Sequence, residues 1–435
     1  MRKRLLNRED AKGAKKARRI LCGLCVFAVI SFVFPTCAQA PVPPPEKVWI
    51  SLGYSTLDQR PPDWKWLRTQ CWEGKVLETL KPILPKVGGL IVPVFDDATC
   101  FYNTNIVPFR GRDKSALPNE KSLRQLLQAA RAQQIPVFLG VDVLGWRKSA
   151  LPAAAATAPS PHRGEGRSEG TNDKDAELFE LNDELSCGSS TGDAAAREGY
   201  FASPFHEKVQ EPLKGLVFEL AKEFPDAAGL AFDVRLSNRE ILGYSIAARE
   251  ASILAVQVDP IDLLFASGGD KCMQESIQVW TDWRREAMEA FVKTLVETYR
   301  SQKKEGQILV SGFANYYSQG DISHLRSTQD WLSWTTSGLA DGLLLEGRWY
   351  APHNEAVHFD SATGLVRKLQ AAQRREAEWP ALPVAVGKAT GGRTDFQADW
   401  TALKSRSPQL TSVLLVARSD ADLQTALRLA RGEWP

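Results

Sequence analysis

The sequence predicts an α/β fold, a single (β/α)8 TIM barrel with enlarged βα loops after strands three and four. Three observations predict it. Short apolar runs and amphipathic helical stretches alternate eight times between residues 48 and 435. Most of these runs are continuously apolar, as strands become when both faces of a parallel sheet are covered. The first run is followed by Gly-Tyr-Ser-Thr-Leu-Asp, not by the glycine-rich phosphate turn that usually marks an open doubly wound sheet. The 435 residues, 43% hydrophobic and 24% charged, suffice for one such core and are not those of a disordered chain.

Residues 1–40 read as a signal peptide. They hold nine Lys/Arg against two Asp/Glu, then the 15-residue apolar run from Ile20 to Phe34, then Pro35 and the small-residue site Ala38-Gln39-Ala40. This is the order of a secretory leader, and the run is shorter than the roughly 20 residues of a spanning helix. The expectation is therefore export to the periplasm or beyond, with no stable membrane insertion after cleavage; an uncleaved N-terminal anchor is the alternative. A Pro-rich joint, 41–47, leads into the domain, 48–435. With the leader's surplus of seven positive charges set aside, the net charge of +2 becomes −5, which gives no footprint for nucleic acid. Behind the leader stand Cys71, Cys100, Cys187 and Cys272. In an exported chain this even number allows two disulfides, with the pairing open, or else four unrelated thiols.

The expected strands are Val48–Leu52, Gly89–Phe95, Ile135–Asp142, Ala228–Asp233, Gln307–Gly312, Asp341–Glu346, Leu382–Gly387 and Ser412–Ala417. Leu123, Leu126, Leu127 and Ala130 form a helical stripe, with Ser122 and Gln125 as a capping box at its start. Met288, Phe291, Val292, Leu295 and Tyr299 form another, after Asp282. Pro212 predicts that the helix before strand four kinks or begins near Glu211. The last helix, Ala421 to Arg431, has Asp420 as its expected N-cap and Gly432 as its stop. The Ala/Pro/Ser/Gly-rich stretch 150–174 is too polar to bury a core and reads as a flexible insertion. Leu236–Trp280 is long enough to wall part of a cleft.

Barrel enzymes carry their chemistry at the C-terminal ends of the strands. Asp96 and Asp97 close strand two, Asp142 strand three, Asp233 strand four and Glu346 strand six. A carboxylate that ends an apolar run is costly unless it is paired or faces a polar cleft. Asp233 and Glu346 are each followed by an arginine, Arg235 and Arg348, which would hold them ionised or make rim salt bridges. Tyr102, Trp146, Tyr244, Tyr316 and Trp349 follow predicted strands, beside Asn315. Flat rings next to carboxylates suit the apolar faces of sugars while polar groups bond hydroxyls. Trp283, Trp331 and Trp334 sit on helices and read as packing.

Other chemistries find little support. His162, His206, His324, His353 and His358 form no H-x-x-x-H or H-E-x-x-H spacing, and there is no C-x-x-C behind the leader. No G-x-S-x-G elbow occurs either. No metal and no cofactor is expected; a metal-dependent hydrolase on Asp96, Asp97 and Asp142 is the weaker alternative.

An ordered series of motifs adds a resemblance. Phe201-Ala-Ser-Pro is followed by Ala228-Gly-Leu-Ala-Phe-Asp233-Val-Arg235, Leu242-Gly-Tyr-Ser245 and Val258-Asp-Pro-Ile-Asp-Leu263. Asp282-Trp-Arg-Arg285, Gln329-Asp-Trp-Leu-Ser-Trp334 and Ala340-Asp-Gly342 complete it. The series resembles the bacterial glycosyl-hydrolase-like family 10, distinct from the family 10 xylanases. The resemblance implies an exported carbohydrate-active barrel whose catalytic pair closes strands four and six, here Asp233 and Glu346. This chain differs at Val234, at Leu236-Ser-Asn and in the insertion after strand three. The expected function is hydrolysis of glycosidic bonds in a polysaccharide, with Asp233 as nucleophile or base and Glu346 as acid. Asp97, Asp142, Arg235, Trp146, Tyr102, Tyr244, Asn315, Tyr316, Arg348 and Trp349 are the expected substrate contacts. A non-catalytic glycan-binding barrel of the cell envelope is the alternative.

Overall fold

A computed structural model describes residues 43–53, 64–96, 99–102, 104, 106, 110–111, 120–144, 202–233, 243–264, 271–313, 328, 330–346, 384–389, 400–401, 404–405 and 411–433. The leader and the insertion 150–174 lie outside them. β1 (Lys47–Leu52) leads through α1 (Trp64–Leu67), a π-helical turn (Arg68–Trp72) and α2 (Lys75–Leu80) to β2 (Val87–Asp96). Next come α3 (Glu120–Ala132), β3 (Val137–Asp142), α4 (Glu207–Glu223) and β4 (Gly229–Asp233). Three helices, α5 (Ile246–Val256), α6 (Pro260–Leu264) and α7 (Lys271–Gln302), precede β5 (Gln307–Phe313). The chain continues through α8 (Trp331–Thr336), β6 (Gly342–Glu346), β7 (Val384–Ala389) and β8 (Ser412–Ala417) to α9 (Asp420–Arg431).

Each of the eight long strands runs parallel to both neighbours, and β1 pairs with β8 on one side and β2 on the other. The sheet therefore closes on itself, and the expected barrel is what forms. Its interior is a packed core. Trp49, Ile91, Phe138, Ala231, Leu309, Leu344 and Leu414 come one from each of seven strands and form one buried cluster. Trp49 is the largest of them, and its ring lies 5.8 Å from that of Phe138. Space for the indole comes from β2, where a Cβ added to Gly89 would stand 2.5 Å from the ring.

The outer faces of the strands are covered by the helical stripes. Val209, Leu213, Leu216, Val217 and Leu220 of α4, and Met288, Phe291, Val292, Leu295, Val296 and Tyr299 of α7, are buried, and the two helices pack together. Trp331 and Trp334 are buried as expected, and Trp283 stacks on Phe205 at 5.2 Å. Gly432 ends α9 with a left-handed φ of 83°.

Several boundaries differ from expectation. Helix α4 begins at Glu207, not Glu211, because His206 Nδ1 accepts from the Lys208 N–H and caps it. Pro212 thus lies within the second turn and removes one hydrogen bond, from the carbonyl of exposed Lys208. Helix α3 begins at Glu120, so Ser122 is inside it and the capping box does not form. Helix α7 begins at Lys271, well before Asp282. Ser419, not Asp420, caps α9, its hydroxyl accepting from the Asp422 N–H. The disulfide expectation also fails among the described cysteines: Cys71, Cys100 and Cys272 are not in disulfides. Cys187 lies outside the described residues. Among the described residues no helix is long and apolar enough to cross a membrane.

Candidate active site

The acids predicted at the strand ends can be placed by register. Residues two apart on a strand share a face. Asp142 therefore shares the inner face with Phe138, and Asp233 with Ala231, both of the interior cluster. The two acids are directly paired across β3 and β4, and Asp233 is paired with Ser311 across β4 and β5. The ladder runs one residue further, where the Val143 N–H donates to the Asp233 carbonyl at 3.0 Å. Asp142 and Asp233 thus stand side by side at the C-terminal mouth, with backbones about 4.8 Å apart as neighbouring strands must be. Asp233 is only 1% exposed and Asp142 is half-buried.

A third acid joins them through an irregularity. Pro93 pairs with Gly140 but Phe95 pairs with Val141, so Val94 is an extra residue in β2. A bulge of this kind exchanges the faces of all that follows. Phe95 takes the outer side with Val141, and Asp96 falls in step with Asp142 on the inner side. The sequence places both Asp96 and Asp97 at the end of strand two, and of these only Asp97, which lies outside the described residues, is an expected substrate contact. The missed signal was Pro93: proline cannot donate to the ladder, and inside a covered strand it marks a bulge.

Glu346 closes β6 and is paired with Phe313, two residues beyond Ser311 on β5. It is therefore two strands from Asp233 and two residues further toward the mouth. Of the expected ligand contacts, Tyr244 is half-buried with its ring 5.2 Å from that of Trp280, over which Arg284 stacks at 4.4 Å. Tyr102 is placed differently from expectation. Thr99–Cys100 turns back antiparallel against the end of β2, and the Phe101 N–H donates to the Val94 carbonyl at 2.9 Å. This draws Tyr102 toward the helical layer, where its ring meets Phe224 edge-on at 5.3 Å and is 1% exposed. Burial, followed by Cys100 and Glu219 nearby, pushes its phenol well above the usual tyrosine range. Tyr102 packs the loop after β2 instead of lining the mouth. Asp97, Trp146, Arg235, Asn315, Tyr316, Arg348 and Trp349 lie outside the described residues.

Two polar ties hold the described surroundings. Ser203, after β3, and Ser245, at the start of α5, are buried with their hydroxyls 2.8 Å apart, which joins the segments that follow neighbouring strands. On the side of β1 and β8, Asp420 accepts from Trp66 Nε1 at 3.0 Å, Gln70 Nε2 at 2.8 Å and Lys75 Nζ at 3.0 Å. The Lys75 and Trp66 bonds hold its carboxyl below the usual carboxylate range. Among the described residues no three of His, Cys, Asp and Glu are grouped as a metal ion would need.

The glycosyl hydrolase-like 10 family profile matches residues 63–364. The chain belongs to the glycosyl hydrolase-like 10 family. Asp96, Asp142, Asp233 and Glu346 all fall within the matched span. No curated protein sequence matches this family member. Among solved structures, it is similar to the cold-adapted β-galactosidase of Rahnella sp. R3, with a TM-score of 0.52 and 10% identity over 90% of this chain and 57% of that one. The β-galactosidase of the psychrophilic Marinomonas ef1 gives 0.46 and 12% over 85% and 53%. The endo-β-1,4-mannanase of Thermotoga petrophila gives 0.44 and 12% over 87% and 68%. The chain spans little more than half the length of these β-galactosidases. At such identities the likeness is one of fold, the (β/α)8 barrel.

Proposed function

We propose that this glycosyl hydrolase-like 10 protein is an exported glycoside hydrolase that cleaves glycosidic bonds in a polysaccharide with Asp233 and Glu346 as its two carboxylates. The observation that carries the reading is the position of Asp233: a buried carboxylate on the inner face of β4, at the barrel's C-terminal mouth, in register with Asp142. Burying a carboxyl where an apolar side chain would pack costs stability unless function repays it. Glycoside hydrolysis needs two such groups, one donating a proton to the leaving oxygen and the other attacking the anomeric carbon or activating water. The register sets the backbones of Asp233 and Glu346 about 12 Å apart along the sheet, and in this reading the two act from opposite sides of one bound glycosidic bond. In this reading Asp96 and Asp142 supply acceptors for sugar hydroxyls, and Tyr244 an aromatic contact.

The test is the release of new reducing ends from a panel of bacterial and plant polysaccharides by the protein and by Asp233→Asn. The reading predicts release by the parent and a fall of about 10²–10⁴-fold in the variant, the usual contribution of a positioned acid or base. Equal release by both would refute the assignment of Asp233. Polysaccharide binding with no release by either would replace the hydrolase with a glycan-binding barrel.

A further inference from the structure

We propose that Tyr244 is the stacking surface of a sugar-binding subsite, and that Trp280 and Arg284 of α7 are the positioning residues that hold its ring. The class of ligand, a pyranose unit of a glycan, rests on the hydrolase reading; the subsite stands on geometry of its own. Its residues come from motifs that the two-carboxylate chemistry does not use: Phe201-Ala-Ser-Pro204, Leu242-Gly-Tyr-Ser245, Asp282-Trp-Arg-Arg285 and Gln329-Asp-Trp-Leu-Ser-Trp334. The structure brings all four to the first half of one helix. Trp280 of α7 packs on Tyr244, and Trp283 stacks on Phe205, the residue after Pro204. Arg285 Nη1 donates to Asp330 Oδ2 at 2.8 Å, and Glu289 accepts from the Ser333 hydroxyl at 2.9 Å. Helix α7 thereby holds segments that follow β3, β4 and β5, the strands that carry Asp142, Asp233 and Ser311.

Tyr244 is tied to the mouth by a short chain of bonds. The carbonyl of Leu144, two residues past Asp142, accepts from the Ala202 N–H at 2.9 Å. The next residue, Ser203, shares a hydrogen bond with Ser245, beside Tyr244. Against the Tyr244 ring stands Trp280, at 5.2 Å and tilted by 51°, within the range that aromatic pairs favour. One helical turn on, the Arg284 guanidinium carbon lies 4.4 Å from the centre of the indole, where a cation is attracted by the ring. Gly243 lets the backbone rest on both. Its φ is 107°, and a Cβ there would stand 3.1 Å from both Arg284 Cδ and Trp280 Cζ2. Trp280 and Arg284 are buried, whereas Tyr244 keeps part of its surface exposed. A ring held against buried neighbours and still partly exposed suits the apolar face of a sugar, with the phenol near a hydroxyl.

The experiment uses the full chain labelled with 5-fluorotryptophan, the Trp280 19F resonance being identified by its loss in Trp280→Phe. The probes are cellohexaose, mannohexaose, xylohexaose and chitohexaose, and thermal melts confirm that each variant is folded. At least one probe is expected to shift the Trp280 resonance. Tyr244→Ala is expected to abolish that shift and to weaken the Kd of the same probe about three- to tenfold, the worth of one aromatic contact. Arg284→Met and Trp280→Leu are expected to weaken Kd over the same range, while Arg284→Lys, which keeps the cation, and Trp280→Phe, which keeps a ring, restore most of it. A merely structural role would lower the melting temperature and leave Kd in place. A Trp280 resonance that no probe moves, or a Kd unchanged in folded Tyr244→Ala or Trp280→Leu, overturns the proposal, whether or not the protein hydrolyses glycosides. A resonance that moves in a protein releasing no sugar sustains the subsite and removes the hydrolase reading.

Discussion

At the scale of single residues, the mouth of the barrel is organised by which face each acid occupies. Asp142 and Asp233 occupy the inner face by simple alternation from Phe138 and Ala231. Asp96 occupies it only because Val94 is extra. This leads to a sharp comparison between two adjacent aspartates. Asp96→Asn is expected to lower kcat/KM on a cleaved glycan by about tenfold or more, the range for losing a charge-assisted hydrogen bond, and by more than Asp97→Asn. The reverse ranking would show that the bulge does not decide which acid meets the ligand. The thiols give a second prediction at this scale. Burial pushes the Cys71 and Cys100 thiols far above the usual cysteine range, whereas Cys272 is exposed. Only thiolates react rapidly, so an aromatic disulfide reagent is expected to modify Cys272 in the native protein and to reach Cys71 and Cys100 only after unfolding.

Among the elements, α5 and the start of α6 are joined by a clamp. Arg249 of α5 donates to Asp259 twice, from Nε at 2.9 Å and from Nη2 at 2.6 Å, while the Ile261 N–H at the start of α6 donates to the same carboxylate. The Arg249 hydrogen bonds hold the Asp259 carboxyl below the usual range. A carboxyl depressed in the folded state contributes stability above its unfolded pKa, near 4, and loses it as pH falls through the lower folded value. Asp259→Asn is therefore expected to weaken hydrogen-exchange protection of Ile246–Leu264 at pH 7 by about 1 kcal/mol. Acidification of the parent toward pH 3 is expected to approach the same loss. Equal protection in both proteins at pH 7 would show that the clamp holds nothing. This scale also shows what a sequence conceals. Apolar periodicity identified α3, α4, α7 and α9, but the starts of α4 and α9 depend on polar caps that compete locally. His206 takes the role that Pro212 suggested for Glu211, and Ser419 the role expected of Asp420. Asp420 is instead drawn to Trp66, Gln70 and Lys75, partners some 350 residues away in sequence that no local pattern reveals.

For the whole molecule, the eightfold alternation was enough to read the barrel, because strands covered on both faces become continuously apolar and most of the eight runs are. Closure followed from having eight of them without a phosphate turn. The candidate site was legible only in outline. Carboxylates at the ends of β3, β4 and β6 stand out against apolar runs, but which aromatic residues face a ligand depends on loop paths. Tyr102 shows this: a two-residue strand that folds back on β2 carries its ring into the packing. The measurement that tests the account most directly is kcat of Asp233→Asn against the parent, on a polysaccharide that the parent cleaves, with the Kd of each protein for that polysaccharide measured alongside. The account predicts kcat lower by about 10²–10⁴-fold with Kd changed by less than about tenfold, as for a group that acts in the transition state. An unchanged kcat in the folded variant would contradict it.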